Sequence, residues 1–423
     1  MSIFTPTLPA MPDRPPERLQ LRGINRKAAF AGVTVLMAYL FAGLPVQVGV
    51  LAQLDLTAAE SSRWFFITWM TTGLFSLGLA LFTRQPVSVN LSIPVIIFLA
   101  GAAAGFSLPQ ILGANLVVGL VAIGLSVLRL TEAFTRLVPP PIAVAVFAGS
   151  ILAFMVKTAN LAVTDPAVSG PVFGGYLLAL IVTRSHLVGV AAAAASGFAG
   201  ITLAGGAPEM GGAMAMPAMG LSAIEFNPSA IIALGLPILA LTVGVGNIQA
   251  LALLRSEGYK AKANLYGLAT GAATVLNALG GGHAAAPGGI AVAVASAPAA
   301  GPKGSRFWAI VLSSIPVVAV ALIAVPVIAA VQDLPLSFTL SVGALALLPT
   351  FKVIARKSLG GRMPVPVKAG AITALTVAAM PFQAAGMPMA FWALLAGVLV
   401  SVALEHGLIW QTWRPGRAAA NSC

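Results

Sequence analysis

Charge is what this chain has least of. Only 8% of its 423 residues are Asp, Glu, Lys or Arg, against about 25% in soluble domains. With 59% hydrophobic residues, that excludes a soluble domain and leaves an integral membrane protein. Cysteine occurs once, at the last position, Cys423, so no intrachain disulfide can form. The sequence carries no nucleotide-binding loop, no metal-ligand spacing and no Ser/His/Asp constellation. An enzyme, an ATP-driven pump, a metal site and a cofactor therefore find no support. Apart from Glu405, close to the end of the last one, carboxylates are absent from the expected spans, which is unusual for a proton-coupled carrier. Residues 1 to 27 lack the apolar core and cleavage site of a signal peptide and read as a disordered cytoplasmic tail.

Apolar runs are abundant. A membrane helix needs about 20 apolar residues, fewer for a half-helix. The runs 28–50, 62–82, 92–106, 110–131, 139–156, 171–184, 187–206, 228–252, 264–280, 286–299, 306–331, 336–351, 366–384 and 388–412 give 14 expected spans. The formal charge of +12 sorts onto one side of them. With the N-terminus inside, all 23 basic residues except Arg63 and Lys157 face the cytoplasm. Membrane orientation explains this distribution, and nucleic acid is not a partner. Both termini are expected in the cytoplasm of a bacterial-type inner membrane.

An odd number of spans per half makes the halves inverted copies. The fold class read here is an all-α polytopic membrane protein of seven plus seven spans. Internal likeness supports it: NLSIP (Asn90 to Pro94) matches HAAAP (His283 to Pro287) at an offset of 193. The run RLVPPPIAVAVFAG from Arg136 resembles QDLPLSFTLSVG from Gln332 at nearly that offset.

The chain is organised around TVLNALGGGHAAAPGGIAVAVASAP, Thr274 to Pro298. Three successive glycines disfavour helix by about 1 kcal/mol each, whereas Pro287 suits a first helical turn. The expectation is an extended segment inside the membrane, followed by a short helix. Lipid tolerates irregular backbone only where protein or a water-filled cavity surrounds it. The stretch Gln85 to Ser92 alternates and is β-branched, so it predicts a matching strand before a half-helix. Two strand-plus-half-helix units, spans 3 and 10, would aim their N-termini at one centre. Such ends bind anions through unpaired N–H groups.

Candidate ligand contacts in these units are Asn90, Ser92, His283 and the backbone from Ala284 to Gly288. In span eight, Asn247 and Gln249 join Thr242 as polar residues beside Gly244 and Gly246. Tyr39 and Phe41 in span one suit a ring-bearing substrate. His283 is also the candidate proton carrier, since its unperturbed pKa lies near 6.5. A bland reading stands beside each: a histidine bonded to a strand carbonyl, or polar glue between helices. The methionines of loop 208–220 have no His or Cys nearby, and that loop reads as an amphipathic cap.

The runs LGLPILALTVGVGNIQALALLRSEGY (from Leu234) and GGGHAAAPGGIAVAVASAPAAGPKGSRFWA (from Gly280) resemble the benzoate/proton symporter family of bacterial inner membranes. The resemblance is good over about 80 residues and looser elsewhere. It implies the fold shared with nucleobase and sulfate-type permeases, in which spans 1–4 and 8–11 form a core and spans 5–7 and 12–14 a gate. Here that means a tail at 1–27, core at 28–136, gate at 137–206, an extracytoplasmic loop at 207–227, core at 228–331, gate at 332–412 and a second tail at 413–423. It also implies import of a small aromatic carboxylate such as benzoate with a proton, by movement of core against gate, and a possible homodimer. Two departures fall where a ligand would sit: Gly246-Asn247 replaces the family's QN pair, and AAAPGG follows the histidine. The alternative is a nucleobase or sulfate-type permease, but nucleobase carriers place acids in spans eight and ten, and this chain has none there.

Overall fold

The computed structural model describes residues 24–54, 56–103, 105–134, 140–204, 215–218, 220–332, 334–359, 368–380, 383–384 and 387–406. Residues 1–23 of the expected N-terminal tail, the whole C-terminal tail, most of the 208–220 loop, and the side chains of Phe41 and Gln249 lie outside the described residues. The tail expected at 1–27 ends earlier, because a helix begins at Arg26 behind an Asn25 cap.

Helices dominate. Six of them are long and apolar enough to cross a membrane: Ala58–Thr83, Leu108–Val127, Val144–Thr164, Pro166–Thr183, His186–Leu203 and Lys303–Leu322. Shorter apolar helices include Ile93–Ala102, Pro228–Gly244, Leu336–Leu348, Lys368–Ala379 and Trp392–Leu404. The hairpin of helices Pro166–Thr183 and His186–Leu203 leaves Leu178, Ile181 and Val182 about two-thirds to three-quarters exposed. Such side chains suit lipid contact.

The two strand-plus-half-helix units form. Strand β1, Val89–Leu91, pairs antiparallel with strand β2, Ala285–Pro287, in the register Val89 to Pro287, Asn90 to Ala286 and Leu91 to Ala285. β1 runs into helix Ile93–Ala102 and β2 into helix Gly289–Ser296. Because the strands are antiparallel, the helices leave in opposite directions from the two ends of the ladder, with their N-termini directed back at it. Each strand is buried along its length.

Hydroxyls from flanking helices satisfy the strand backbone that the short ladder leaves over. Ser76 Oγ accepts from Val89 N–H and donates to its carbonyl, both at 3.0 Å. Thr72 Oγ1 accepts from Leu91 N–H at 2.7 Å. Thr274 Oγ1 does the same for Ala285 N–H at 3.0 Å. The crossing is thus wedged between helices Ala58–Thr83 and Ala263–Leu279.

Three expectations need correction. Pro287 does not open a helix; it ends β2, and the helix begins at Gly289 behind an N-cap at Gly288. A proline is tolerated there because this is a two-stranded edge. The units therefore correspond by their N-caps, Ser92 and Gly288, which are 196 positions apart, as are the first strand residues Val89 and Ala285. The offset of 193 matched prolines that occupy different structural positions. The expected spans 28–50 and 228–252 are also not regular: five-residue-per-bond turns interrupt them at Tyr39–Gly43, Ile231–Gly235 and Ala240–Gly246. Such π-type turns often mark functional sites. Run 306–331 divides into helices Phe307–Leu322 and Ala324–Gln332.

Candidate substrate site

The wide turn at Tyr39–Gly43 carries the Tyr39 hydroxyl to the strand crossing, where it donates to Asn90 Oδ1. Asn90 sits at the centre of β1, opposite Ala286. Its amide lies directly over the second N-cap: a Cβ placed on Gly288 would stand 1.9 Å from Asn90 Nδ2. Only glycine leaves room for that side chain, which is a close-approach requirement. Tyr39, Asn90 and Gly288 thus form one cluster across the two units.

Ser92 is the N-cap of helix Ile93–Ala102, yet its hydroxyl caps nothing. It is 2% exposed and its Oγ has no hydrogen-bond partner. In each half-helix the first bond closes at the fourth residue, Ile96 N–H to Ser92 O at 3.0 Å and Val292 N–H to Gly288 O at 2.8 Å. The N–H groups before it have no intrahelical acceptor.

The wide turn at Ala240–Gly246 borders the crossing from the other side. A Cβ on Gly246 would stand 3.2 Å from Ala286 Cβ and 3.3 Å from Pro287 Cδ. The next residue, Asn247, is fully buried, and neither its Oδ1 nor its Nδ2 has a partner. Two buried amide atoms without partners cost roughly 1–3 kcal/mol each unless something else satisfies them. Thr242 is occupied: its hydroxyl donates to Ile238 O at 2.8 Å.

His283 and Ala284 lie at the end of the ladder where Leu91 pairs with Ala285. They precede β2, and Ala284 is buried in the main apolar core. His283 is fully buried. Its Nδ1 accepts from Trp64 Nε1–H at 2.8 Å, and the two rings stack at 5.7 Å between centroids. An accepting Nδ1 means that a neutral His283 carries its proton on Nε2, and Nε2 has no partner. The His283 carbonyl accepts from Asn277 Nδ2 at 2.9 Å, and Asn277 Oδ1 accepts from the Thr71 hydroxyl at 2.6 Å. The His283 ring thus meets helix Ala58–Thr83 at Trp64, while its backbone, two residues before Ala285, lies at the Leu91 end of the ladder.

Trp64 is the residue that sequence reasoning missed. Its signal was the WFFITW run from Trp64, whose aromatics also include Trp69. That second indole donates to Gln47 Oε1 at 2.7 Å, and Gln47 donates to Thr68 at 2.8 Å. Among the described residues, no group of His, Cys, Asp and Glu could hold a metal ion.

Two opposed half-helix tips inside an apolar, many-helix body define a membrane transport protein. The comparisons specify which kind. The family model described as benzoate membrane transport protein matches residues 24–403, and the chain belongs to that family. It is 24% identical over 351 residues to the inner membrane protein YdcO of Escherichia coli (strain K12), covering 82% of this chain and 88% of that protein. In fold it is similar to the transmembrane domain of the cyanobacterial bicarbonate transporter BicA, with a TM-score of 0.56, 16% identity, and coverage of 90% of this chain and 98% of the other. It is also similar to the murine anion transporter Slc26a9 in the inward-facing state, with a TM-score of 0.53, 13% identity, and coverage of 95% and 77%. The family and the two solved structures are described as transporters and not enzymes.

Proposed function

We propose that this protein is a secondary active transporter that imports a small organic anion, an aromatic carboxylate such as benzoate, together with a proton. The observation that carries the reading is the facing pair of half-helix N-termini at Ser92 and Gly288, with Ser92 Oγ and the Asn247 amide buried and unpartnered beside them. One helix end contributes about 0.3–2 kcal/mol to a nearby anion, whereas burying a carboxylate costs several kcal/mol. Two ends and several neutral donors acting together meet that cost. Tyr39 positions Asn90, and the aromatic ring of the ligand lies along the apolar neighbours of the tips. The family supplies the benzoate class, and the anion-carrying relatives agree with it.

In this reading the chain forms 14 spans in two inverted halves, with both termini cytoplasmic. Segments 28–136 and 228–331 make a core that holds the substrate, and 137–206 and 332–412 make a gate against which it moves. His283 carries the coupling proton on its free Nε2. Gln249 extends the ligand contacts of Asn247.

Uptake of radiolabelled benzoate into vesicles holding the purified protein tests this. An inward proton gradient should drive accumulation, and other aromatic acids should compete while sulfate and uracil do not. Uptake of sulfate or uracil in place of benzoate would overturn the substrate class. Replacement of His283 by alanine should abolish the dependence on the gradient; pH-dependent uptake that survives it removes His283 from the coupling role.

A further inference from the structure

A cavity of about 270 Å³ lies at the start of helix Ala58–Thr83. It is lined by Arg63 and Glu60 of helix Ala58–Thr83, by Leu108, Pro109 and Leu112 of the Leu108–Val127 helix, and by Ser222, Ala223 and Gly281. We infer that this is an outer capture site for the same carboxylate class, with Arg63 as the anion-binding group; it rests on the transport function proposed above.

Three observations support the assignment. First, Arg63 is an available cation. Among the described residues it makes no ion pair, its Nε is buried without a partner, and its only hydrogen bond is a long one, 3.5 Å to Ser222 Oγ. The neighbouring Glu60 makes no ion pair with it: Glu60 Oε2 is turned to the helix cap, where it accepts from the Thr57 N–H at 2.9 Å and the Thr57 hydroxyl at 2.7 Å. Second, the opposite wall is apolar. Leu108, Pro109 and Leu112 offer a surface for a hydrocarbon ring while the guanidinium takes the carboxylate, in a bidentate contact. Third, the floor is kept open by a glycine that cannot be replaced cheaply. Gly281 has φ +92°, and a Cβ there would stand 2.9 Å from Ser222 Oγ and 3.3 Å from Arg63 Cδ.

The cavity also leads somewhere. Arg63 is followed by Trp64, which holds His283, and Gly281 is two residues before that histidine. A carboxylate held at Arg63 stands next to the chain segment that runs into β2 and the Gly288 tip. Arg63 is one of the two basic residues that the charge distribution assigns to the outer side. The site therefore concentrates the anion on the side from which it is imported.

Direction-resolved transport tests this. Benzoate influx and efflux are measured in vesicles of defined orientation for the wild type, Arg63→Gln, Glu60→Gln and Ser222→Leu. Arg63→Gln should raise the KM for influx about tenfold or more, the loss expected for a charged hydrogen bond, and leave the efflux KM unchanged, with the efflux maximal rate falling in the proportion that the fixed transport equilibrium requires. Glu60→Gln, which keeps a capping side chain and removes the negative charge, should lower the influx KM. Ser222→Leu fills the cavity from the far wall and should reproduce the Arg63→Gln effect even where that variant folds poorly. Unchanged influx KM in Arg63→Gln and Ser222→Leu, or an efflux KM raised as much as the influx KM, would overturn the capture site. Absence of benzoate transport in the wild type would instead overturn the function on which it rests.

Discussion

Replacing Gly288 by alanine is the sharpest test of the crossing. The backbone at Gly288, φ −80° and ψ 93°, accepts an L-residue, so any cost comes from space. The new methyl group would lie 1.9 Å from Asn90 Nδ2, 2.4 Å from its Cγ and 2.7 Å from its Oδ1. No heavy-atom contact of that length survives, and the backbone of β2 is held by its partner strand. Asn90 must swing away and surrender the Tyr39 hydroxyl. Overpacking a tight site costs roughly 1–3 kcal/mol, and the broken hydrogen bond adds about 0.5–1.5 kcal/mol. The expected loss is then about 2–4 kcal/mol, read by chemical unfolding of the detergent-solubilised protein. The double variant with Asn90→Ala removes the group that is struck. It should be less destabilised than the sum of the single changes by about 1 kcal/mol or more, since contacting residues couple by roughly 0.5–3 kcal/mol. It should still fail to transport, because Asn90 is gone. Wild-type stability in Gly288→Ala, or strict additivity in the double variant, would refute the geometry argued for the tips.

Other perturbations give distinct outcomes. Trp64→Phe keeps the ring but removes the donor to His283 Nδ1; leaving that buried acceptor unmet should cost about 1–3 kcal/mol of unfolding free energy. Thr72→Val is nearly isosteric and deprives the Leu91 N–H of its acceptor, with an expected loss of about 1–3 kcal/mol and faster amide exchange at Leu91. Arg306 bonds Glu257 Oε2 at 3.0 Å, the Gly301 carbonyl at 2.8 Å and the Ser296 carbonyl. Glu257→Gln should destabilise less than the 3–5 kcal/mol typical of a broken buried pair, because Glu257 is 29% exposed and the two carbonyls remain. Asn247→Leu should be neutral or stabilising in unfolding assays, since it removes two unpartnered polar atoms, and should raise the KM for benzoate.

The crossing was legible in the sequence because its signals are local. Alternating β-branched residues from Gln85 announce a strand, and triple glycine followed by an apolar run announces a broken span. Register was not legible, because it is set by contacts between segments nearly half the chain apart. The prolines invited the wrong alignment: Pro94 lies in a helix and Pro287 in a strand, and proline is compatible with both. His283 is conspicuous in the sequence because it stands beside the broken span. Its actual partner, Trp64, is 219 positions away, beyond the reach of any spacing argument. Tyr39 and Asn90 were each chosen singly; their bond, through a widened turn in span one, needed coordinates. Arg306 read as a simple topological anchor, whereas it ties the end of half-helix Gly289–Ser296 to Glu257.

The antiparallel pairing of Val89–Leu91 with Ala285–Pro287 limits how such a carrier can work. Main-chain bonds clasp the two halves of the polypeptide at the spot proposed to hold cargo. Unclasping them would strand amides in an oily interior, so the tips cannot part like jaws to let go of a passenger. They must travel as one carriage, and the walls on either side must do the yielding.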